Sequence, residues 1–442
     1  MSQQGLSVGI YTLGCKVNQY ESEAIAELFA AEGFSLRAPT EPCDIYVINT
    51  CTVTAESDRK ACQFIRRAIH KNPNAYVLVT GCLSQTQPAR VAAIEGVDYI
   101  CGNADKTSVV AAAKELIAGG KKRNCAAVSV VAPDALGFEK MNITRFDRTR
   151  AYIKIEDGCE NKCAYCIIPK ARGKIRSKTP ADVLDEVRTL TENGCQEIVL
   201  TGIETASYGK DLNGYTLADL LSEIDEIEQV GRIRLGSLDP SLMKQAFVDR
   251  IAKLNSLAPH FHLSMQSGSD RTLARMRRKY NTQMALDGMR RLREAIPNVQ
   301  FTTDMIVGFP GESEENFAET LDFIRQAEFL MIHVFPYSRR AGTEADRMDG
   351  QIPETVKHAR VKRLSEEQAK IRAKILTRQI GARADVLFET IRAGTAYGHT
   401  PNFIEVVCPA SHICQAQTHA VEITDADGEH CYGRLIKIQE KG

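Results

Sequence analysis

Strands and helices alternate along this chain from residue 8 to residue 336 with few breaks, and that alternation leaves few folds open to it. Short apolar runs at 8–13, 44–49, 75–80 and 98–101 read as strands, and helical periodicity fills 22–32, 56–71 and 88–94 between them. In the first helix Ile25, Leu28 and Phe29 share a face and Gly33 supplies the stop. Strands separated by helices pair in parallel, so the first hundred residues predict a doubly wound parallel sheet. A stretch containing Gly-Gly-Lys-Lys-Arg and a Pro133-Asp134 turn reads as a connector. Six further strand–helix units follow, with strands at 151–155, 197–200, 232–236, 260–265, 301–307 and 331–336, enough for a partial (β/α)6 barrel. A long basic helix at 357–378 closes it. Beyond that the pattern shortens to alternating strands at 386–390, 400–407, 420–423 and 432–438, which suit a small antiparallel β-barrel. The predicted class is α/β, divided into residues 1–118, a linker at 119–145, a barrel at 146–376 and a tail at 377–442.

Fourteen cysteines are placed along this frame, and their positions carry the chemistry. Cys159, Cys163 and Cys166 form a Cys-x3-Cys-x2-Cys triplet just after the first barrel strand. Three thiolates in eight residues can hold three corners of a cubane iron–sulfur cluster and leave the fourth iron open to a reactant. The alternative, a structural zinc, wants four closed ligands, and no fourth Cys or His follows at a finger-like distance. Cys15, Cys51 and Cys82 each fall immediately after a strand of the first sheet. Ligands of such sheets gather beyond the carboxyl ends of the strands, so three residues more than thirty apart in sequence are expected to meet as a second cluster site. Any one of them alone would read as a buried small hydrophobe. The N-terminus has no signal-peptide pattern and no apolar run approaches a membrane span, so the cysteines are read as ligands or buried thiols in a reducing cytoplasm.

The triplet, followed closely in spacing by an aromatic–Cys pair, resembles the signature of the radical S-adenosylmethionine (SAM) enzymes. In that superfamily the open iron takes the amino and carboxyl groups of SAM, and an electron then cleaves it to a 5′-deoxyadenosyl radical. Polar groups at the carboxyl ends of the other barrel strands fit a SAM pocket in that setting, with Glu204, Ser237, Gln266 and Asp304 as candidates and Gly202, Gly308 and Gly311 for close backbone approach. Each alone is as consistent with a turn, a cap or a pair within the barrel.

Net charge is zero over the whole chain, with 56 basic and 56 acidic residues, yet the middle is richer in bases. Lys170, Arg172, Lys174, Arg176 and Lys178 alternate just beyond the triplet, and Arg271, Arg275, Arg277, Arg278 and Lys279 form a second group. On extended chain the first set would present five cations on one side, a phosphate-lined track if it is more than a solvated face. The tail carries slightly more acids than bases, so its phosphate contacts are confined to Arg383, Arg392, Arg434 and Lys437, with Tyr397 as a stacking platform and Phe403 as either a second platform or core.

Taken together the residues resemble the methylthiotransferase family of radical SAM enzymes over essentially the whole chain. The run Thr12-Leu-Gly-Cys-Lys-Val-Asn-Gln-Tyr-Glu-Ser22 is its most specific piece and is similar to the branch acting on N6-threonylcarbamoyladenosine beside the tRNA anticodon. The stretch from Tyr397 to Val406 is similar to a TRAM domain. The resemblance implies an enzyme that inserts sulfur and a methyl group at C2 of that nucleoside, with a SAM-cleaving 4Fe-4S cluster on Cys159, Cys163 and Cys166 and an auxiliary 4Fe-4S cluster on Cys15, Cys51 and Cys82. It implies a cytoplasmic monomer that meets the tRNA anticodon stem-loop, an electron donor and a sulfur source, and no membrane. The neighbouring branches act on isopentenyladenosine or on a ribosomal-protein aspartate; a two-cluster electron carrier or RNA-binding iron–sulfur protein is the non-enzyme alternative. Because both cysteine sets lie upstream of residue 377, the tail is expected to be dispensable for SAM cleavage.

Overall fold

The computed structural model describes residues 5–120, 125–146 and 148–436. Its first layer is a six-stranded sheet, all of whose pairs are parallel. The central strand Ile45–Thr50 is buried at every position, as a parallel strand covered on both faces must be. Helix Ala55–Lys71 starts where the Thr54 hydroxyl accepts from the Ser57 amide, with Glu56 and Asp58 in its first turn. Helix Lys16–Ala31 begins six residues before the predicted start. The polar residues that mask its early periodicity, Asn18, Glu21 and Ser22, are buried. Residues 88–94 hold only the short helix Pro88–Ala92, preceded by Cys82–Thr86. Strands Ser35–Arg37 and Ala127–Ser129 and helix Ser108–Gly119 complete the sheet and its cover. The strand at 127–129 pairs with Tyr99–Cys101, so chain that reads as connector belongs to the sheet.

Six strand positions form the open barrel. Ala151–Lys154, Glu197–Thr201 and Arg232–Leu235 make one parallel set; Ser237–Leu238, His260–Gln266, Gln300–Val307 and Met331–Pro336 make the other. The third strand changes sheet at Gly236. Helix Glu354–Thr377 lies against the last strand and leads to the tail. There five strands close a barrel, one more than the sequence reading: Thr395–His399 was not foreseen. Four of its pairings are antiparallel and Glu405–Pro409 pairs with Cys431–Leu435 in parallel. Lys437 and the end of the strand expected at 432–438 lie outside the described residues, as do Lys121 to Arg123 of the basic connector.

A buried polar network joins the first sheet domain to the barrel. Glu21 pairs with Lys106, with Lys154 at 2.9 Å and with Arg172 at 2.9 Å, while Arg172 also reaches Asp157 at 3.0 Å and Asn18 at 2.6 Å. Although burial alone would raise it, the three cations hold the Glu21 carboxyl well below the usual carboxylate range.

This network overturns the extended basic track. Residues Ile168–Arg172 are helical, Arg172 is wholly buried, and Lys178 is buried on Glu186 at 2.5 Å. Arg176 donates to the Pro133 and Arg172 carbonyls, and Lys170 to the Gly342 carbonyl. Three of the five cations therefore build the domain junction. In the second group Arg271, Arg275, Arg277 and Lys279 are exposed, whereas Arg278 turns inward.

Candidate active site

Two glycines explain how the first three cysteines meet. Gly14 and Gly81 end the strands Ser7–Thr12 and Tyr76–Gly81 with φ of +104° and +100°, a backbone that side chains disfavour, and each delivers the following Cys from a strand end. A methyl on Gly14 would come within 2.9 Å of Cys51 Sγ, and one on Gly81 within 2.4 Å of the Thr50 carbonyl oxygen, so both loops close on the third. Burial raises the Cys15 thiol, and it pushes Cys51 up to about 11 with the neighbouring Cys82 and Cys15 adding to the rise. Cys15 is solvent-accessible although protein surrounds it, because it opens onto an internal cavity.

The second triplet sits on the loop after Glu156–Asp157. The Asn161 amide donates to Cys159 Sγ and the Ile168 amide to Cys166 Sγ, both at 3.4 Å, and Arg278 Nη1 donates to Cys163 Sγ at 3.1 Å. Burial pushes Cys159 to about 12 and Cys166 to about 11. Those protons must leave when iron binds.

The two triplets share a junction. Asn103 Nδ2 donates both to Cys82 Sγ, at 3.4 Å, and to the Ala171 carbonyl beyond the second triplet, at 2.8 Å. Arg172 acts electrostatically on Cys15, Cys51 and Cys82. Beside those thiols the buried cations Lys106, Lys154 and Arg172 meet the paired carboxylates Glu21 and Asp157, with Glu139 within electrostatic reach of Lys106 and Lys154. Arg172, wholly buried and acting on all three thiols, suits a cluster ligated by thiolates, whose negative charge it offsets. Among the described residues no three His, Cys, Asp or Glu close on a single ion. A cubane does not ask for that, since each thiolate takes its own iron.

The four SAM-pocket candidates divide. Glu204 lines a cavity of about 440 Å³ with Asn161, Asp239 and Lys279. Asn161 Nδ2 donates to its carboxylate at 3.0 Å, and burial followed by the Asp239 charge pushes Glu204 up to about 7. Ser237 and Asp304 instead line a larger cavity of about 530 Å³, with Cys15, Gly202 and His262. Asp304 faces His262 Nε2 at 3.4 Å. Gln266 lines neither of these cavities; it takes φ +64° at a register shift against the neighbouring strand.

Residues that the sequence did not single out do as much here. Arg278 joins Cys163 to Asp239 at 3.0 Å and to the Ser264 carbonyl at 3.1 Å, and its only signal was membership of a basic cluster. Phe403, from the tail, forms the floor of the larger cavity. It stacks between His260 at 4.6 Å and His399 at 4.7 Å, with Arg234 4.8 Å and Arg150 5.4 Å from the ring centre, and holds φ +71°. It is neither tail core nor a free platform for bases.

An open parallel barrel carrying a Cys-x3-Cys-x2-Cys loop, docked on a sheet whose strand ends carry three more cysteines, is the architecture of a two-cluster radical SAM enzyme. The model of the Radical SAM superfamily matches residues 153–324, and that of Uncharacterized protein family UPF0004 matches residues 7–102. Threonylcarbamoyladenosine tRNA methylthiotransferase MtaB of Bacillus subtilis is 40% identical over 98% of this chain and 97% of its own. The tRNA-2-methylthio-N(6)-dimethylallyladenosine synthase of Clostridium botulinum strain Loch Maree is 35% identical over 86% of this chain and 85% of its own. The radical SAM methyltransferase TsrM of Kitasatospora setae, solved with cobalamin and a [4Fe-4S] cluster, shares the fold at TM-score 0.57 and 16% identity, covering 90% of this chain and 81% of that one. The chain belongs to the radical SAM methylthiotransferase family, whose members work with SAM and two 4Fe-4S clusters.

Proposed function

We propose that this enzyme methylthiolates C2 of N6-threonylcarbamoyladenosine beside the anticodon of tRNA, exchanging the C2–H bond for C2–S–CH3. The observation that carries the proposal is the convergence of both cysteine triplets on one junction, with Cys15 opening into the cavity at the barrel strand ends. The B. subtilis relative supports the nucleoside named. When bound, SAM and the two clusters supply the radical, the sulfur and the methyl group.

The chain's own residues then have distinct tasks. Cys159, Cys163 and Cys166 hold the cluster that cleaves SAM, and Cys15, Cys51 and Cys82 hold the auxiliary cluster. Glu204, with Asn161 orienting it, binds the SAM ammonium; Arg278 steadies Cys163; Ser237 and Asp304 face the target base across the larger cavity. The first sheet carries the auxiliary site (1–118 with the strand at 127–129), the barrel (146–376) the radical site, and the TRAM-like tail (377–442) contributes RNA contacts. The base must leave its stack to enter, which a single-stranded anticodon loop permits. No helix among the described residues is long and apolar enough to cross a membrane, and tRNA as substrate supports a cytoplasmic enzyme.

Mass spectrometry of tRNA nucleosides from cells lacking this protein is the direct test. N6-threonylcarbamoyladenosine without its 2-methylthio group is expected to accumulate. Loss of 2-methylthio-isopentenyladenosine instead moves the enzyme to the branch of the C. botulinum relative.

A further inference from the structure

The larger cavity is lined for an anion that the protein does not itself provide. Lys16, Arg150 and Arg234 line it, with Asp304 as its carboxylate. Arg150 is held by Glu197 at 2.7 Å and Glu389 at 2.5 Å, and Arg234 by Glu197 at 2.6 Å, while Arg232 draws on Glu197 as well at 3.0 Å. Glu197 and Glu389 thus occupy Arg150, Arg232 and most of Arg234, and leave Lys16 to the cavity. Lys16 makes no ion pair or hydrogen bond with the described residues, and its accessible surface faces the cavity. Arg234 is 3% exposed and His260 4%, and Arg234 Nη1 and His260 Nδ1 are both shielded without a partner. The Lys16 ammonium and the shielded Arg234 Nη1 are two donors without an acceptor beside one cavity, a receptor with a missing partner.

We propose that Lys16 and Arg234 bind the carboxylate of the nucleoside's N6 substituent, and that this charge selects a threonylcarbamoyl group over an apolar one. The proposal rests on the functional reading above and names how the site reads its substrate. C2 and C6 of adenine flank the same ring nitrogen, so a substituent on N6 must share the cavity in which C2 reacts. Lys16 directly follows Cys15, which opens into that cavity. A carboxylate there would give the Lys16 ammonium the ion pair it lacks among the described residues. A neutral apolar substituent would displace water from Lys16 and Arg234 and leave them unpaired, a cost that makes such sites strongly selective.

The experiment uses the full-length, cluster-loaded protein and anticodon stem-loops bearing threonylcarbamoyladenosine, its threonyl methyl ester, or isopentenyladenosine. Wild-type protein should bind the carboxylate form about 10- to 100-fold more tightly than the ester, the usual worth of charge-assisted hydrogen bonds. Lys16→Gln and Arg234→Gln should each shrink that ratio, Lys16→Gln toward unity, with iron content checked in every variant. The ester comparison needs no variant and stands even if Arg234→Gln misfolds. Equal binding of acid and ester by the wild type, or a full ratio in Lys16→Gln, overturns the carboxylate receptor while turnover of threonylcarbamoyladenosine leaves the function standing. Preferred turnover of the isopentenyl stem-loop overturns both.

Discussion

At the scale of single residues the site depends on side chains whose state the surroundings set. Replacing Cys159, Cys163 and Cys166 by Ala should remove about four of about eight irons and abolish 5′-deoxyadenosine formation. The same change at Cys15, Cys51 and Cys82 should remove the other four and stop sulfur insertion while SAM is still cleaved. Iron analysis with product chromatography separates the two, and full methylthio product from the second variant would show those thiols to be structural. Glu204 offers a pH test. Burial and Asp239 hold it at about 7 rather than the ordinary 4.5. If its anion binds the SAM ammonium, affinity is full above pH 7 and falls as pH drops through it, by up to about tenfold per pH unit. Glu204→Gln should bind SAM weakly and without that slope; an unchanged slope removes Glu204 from the ammonium site.

At the scale of elements, the strand Glu197–Thr201 begins with the carboxylate that ties the base of the barrel together. Glu197 is buried, yet Arg234 and Arg150 outweigh that burial and hold it down at about 2. A depressed carboxylate contributes stability that is complete above its ordinary 4.5 and is lost as pH falls toward 2. Glu197→Gln leaves Arg150, Arg232 and Arg234 without their shared partner, so it should cost about 3–5 kcal/mol in denaturant unfolding at neutral pH. The difference from wild type should narrow on acidification between those two values. A constant difference across that range would mean the loss is one of packing rather than charge.

At the scale of the whole molecule the tail helps to wall the larger cavity. Phe403 forms its floor, and Glu389 anchors Arg150 across the junction. No tail residue lines the cavity that holds Glu204, so residues 377–442 are still expected to be dispensable for SAM cleavage, but they complete the larger cavity. Deleting them should weaken tRNA binding and lower methylthiolation while SAM cleavage without tRNA persists, because it is the larger cavity that would open to solvent at its base. Phe403→Ala should keep tRNA affinity while lowering methylthiolation roughly tenfold or more, as loosened positioning does. Unimpaired methylthiolation by the truncated protein at saturating tRNA would restore the picture of a separable RNA-binding module.

Local signals on the chain determined the strand–helix order, the two cysteine triplets and the tail's change to short strands, because periodicity and spacing are properties of neighbours in sequence. They also pointed to Glu204, Ser237 and Asp304, since strand ends are predictable, though not to the division of these residues between two cavities. The start of helix Lys16–Ala31 is hidden in the sequence because Asn18 and Glu21 look like surface residues until Lys106, Lys154 and Arg172 arrive from chain 85 to 154 residues away. The basic run after Cys166 failed for the same reason: charge in sequence does not say whether a cation meets solvent or a buried carboxylate. Arg278 on Cys163, Phe403 under the barrel and the unpaired donors of Lys16 and Arg234 exist only where distant segments meet, and tertiary structure alone decided them.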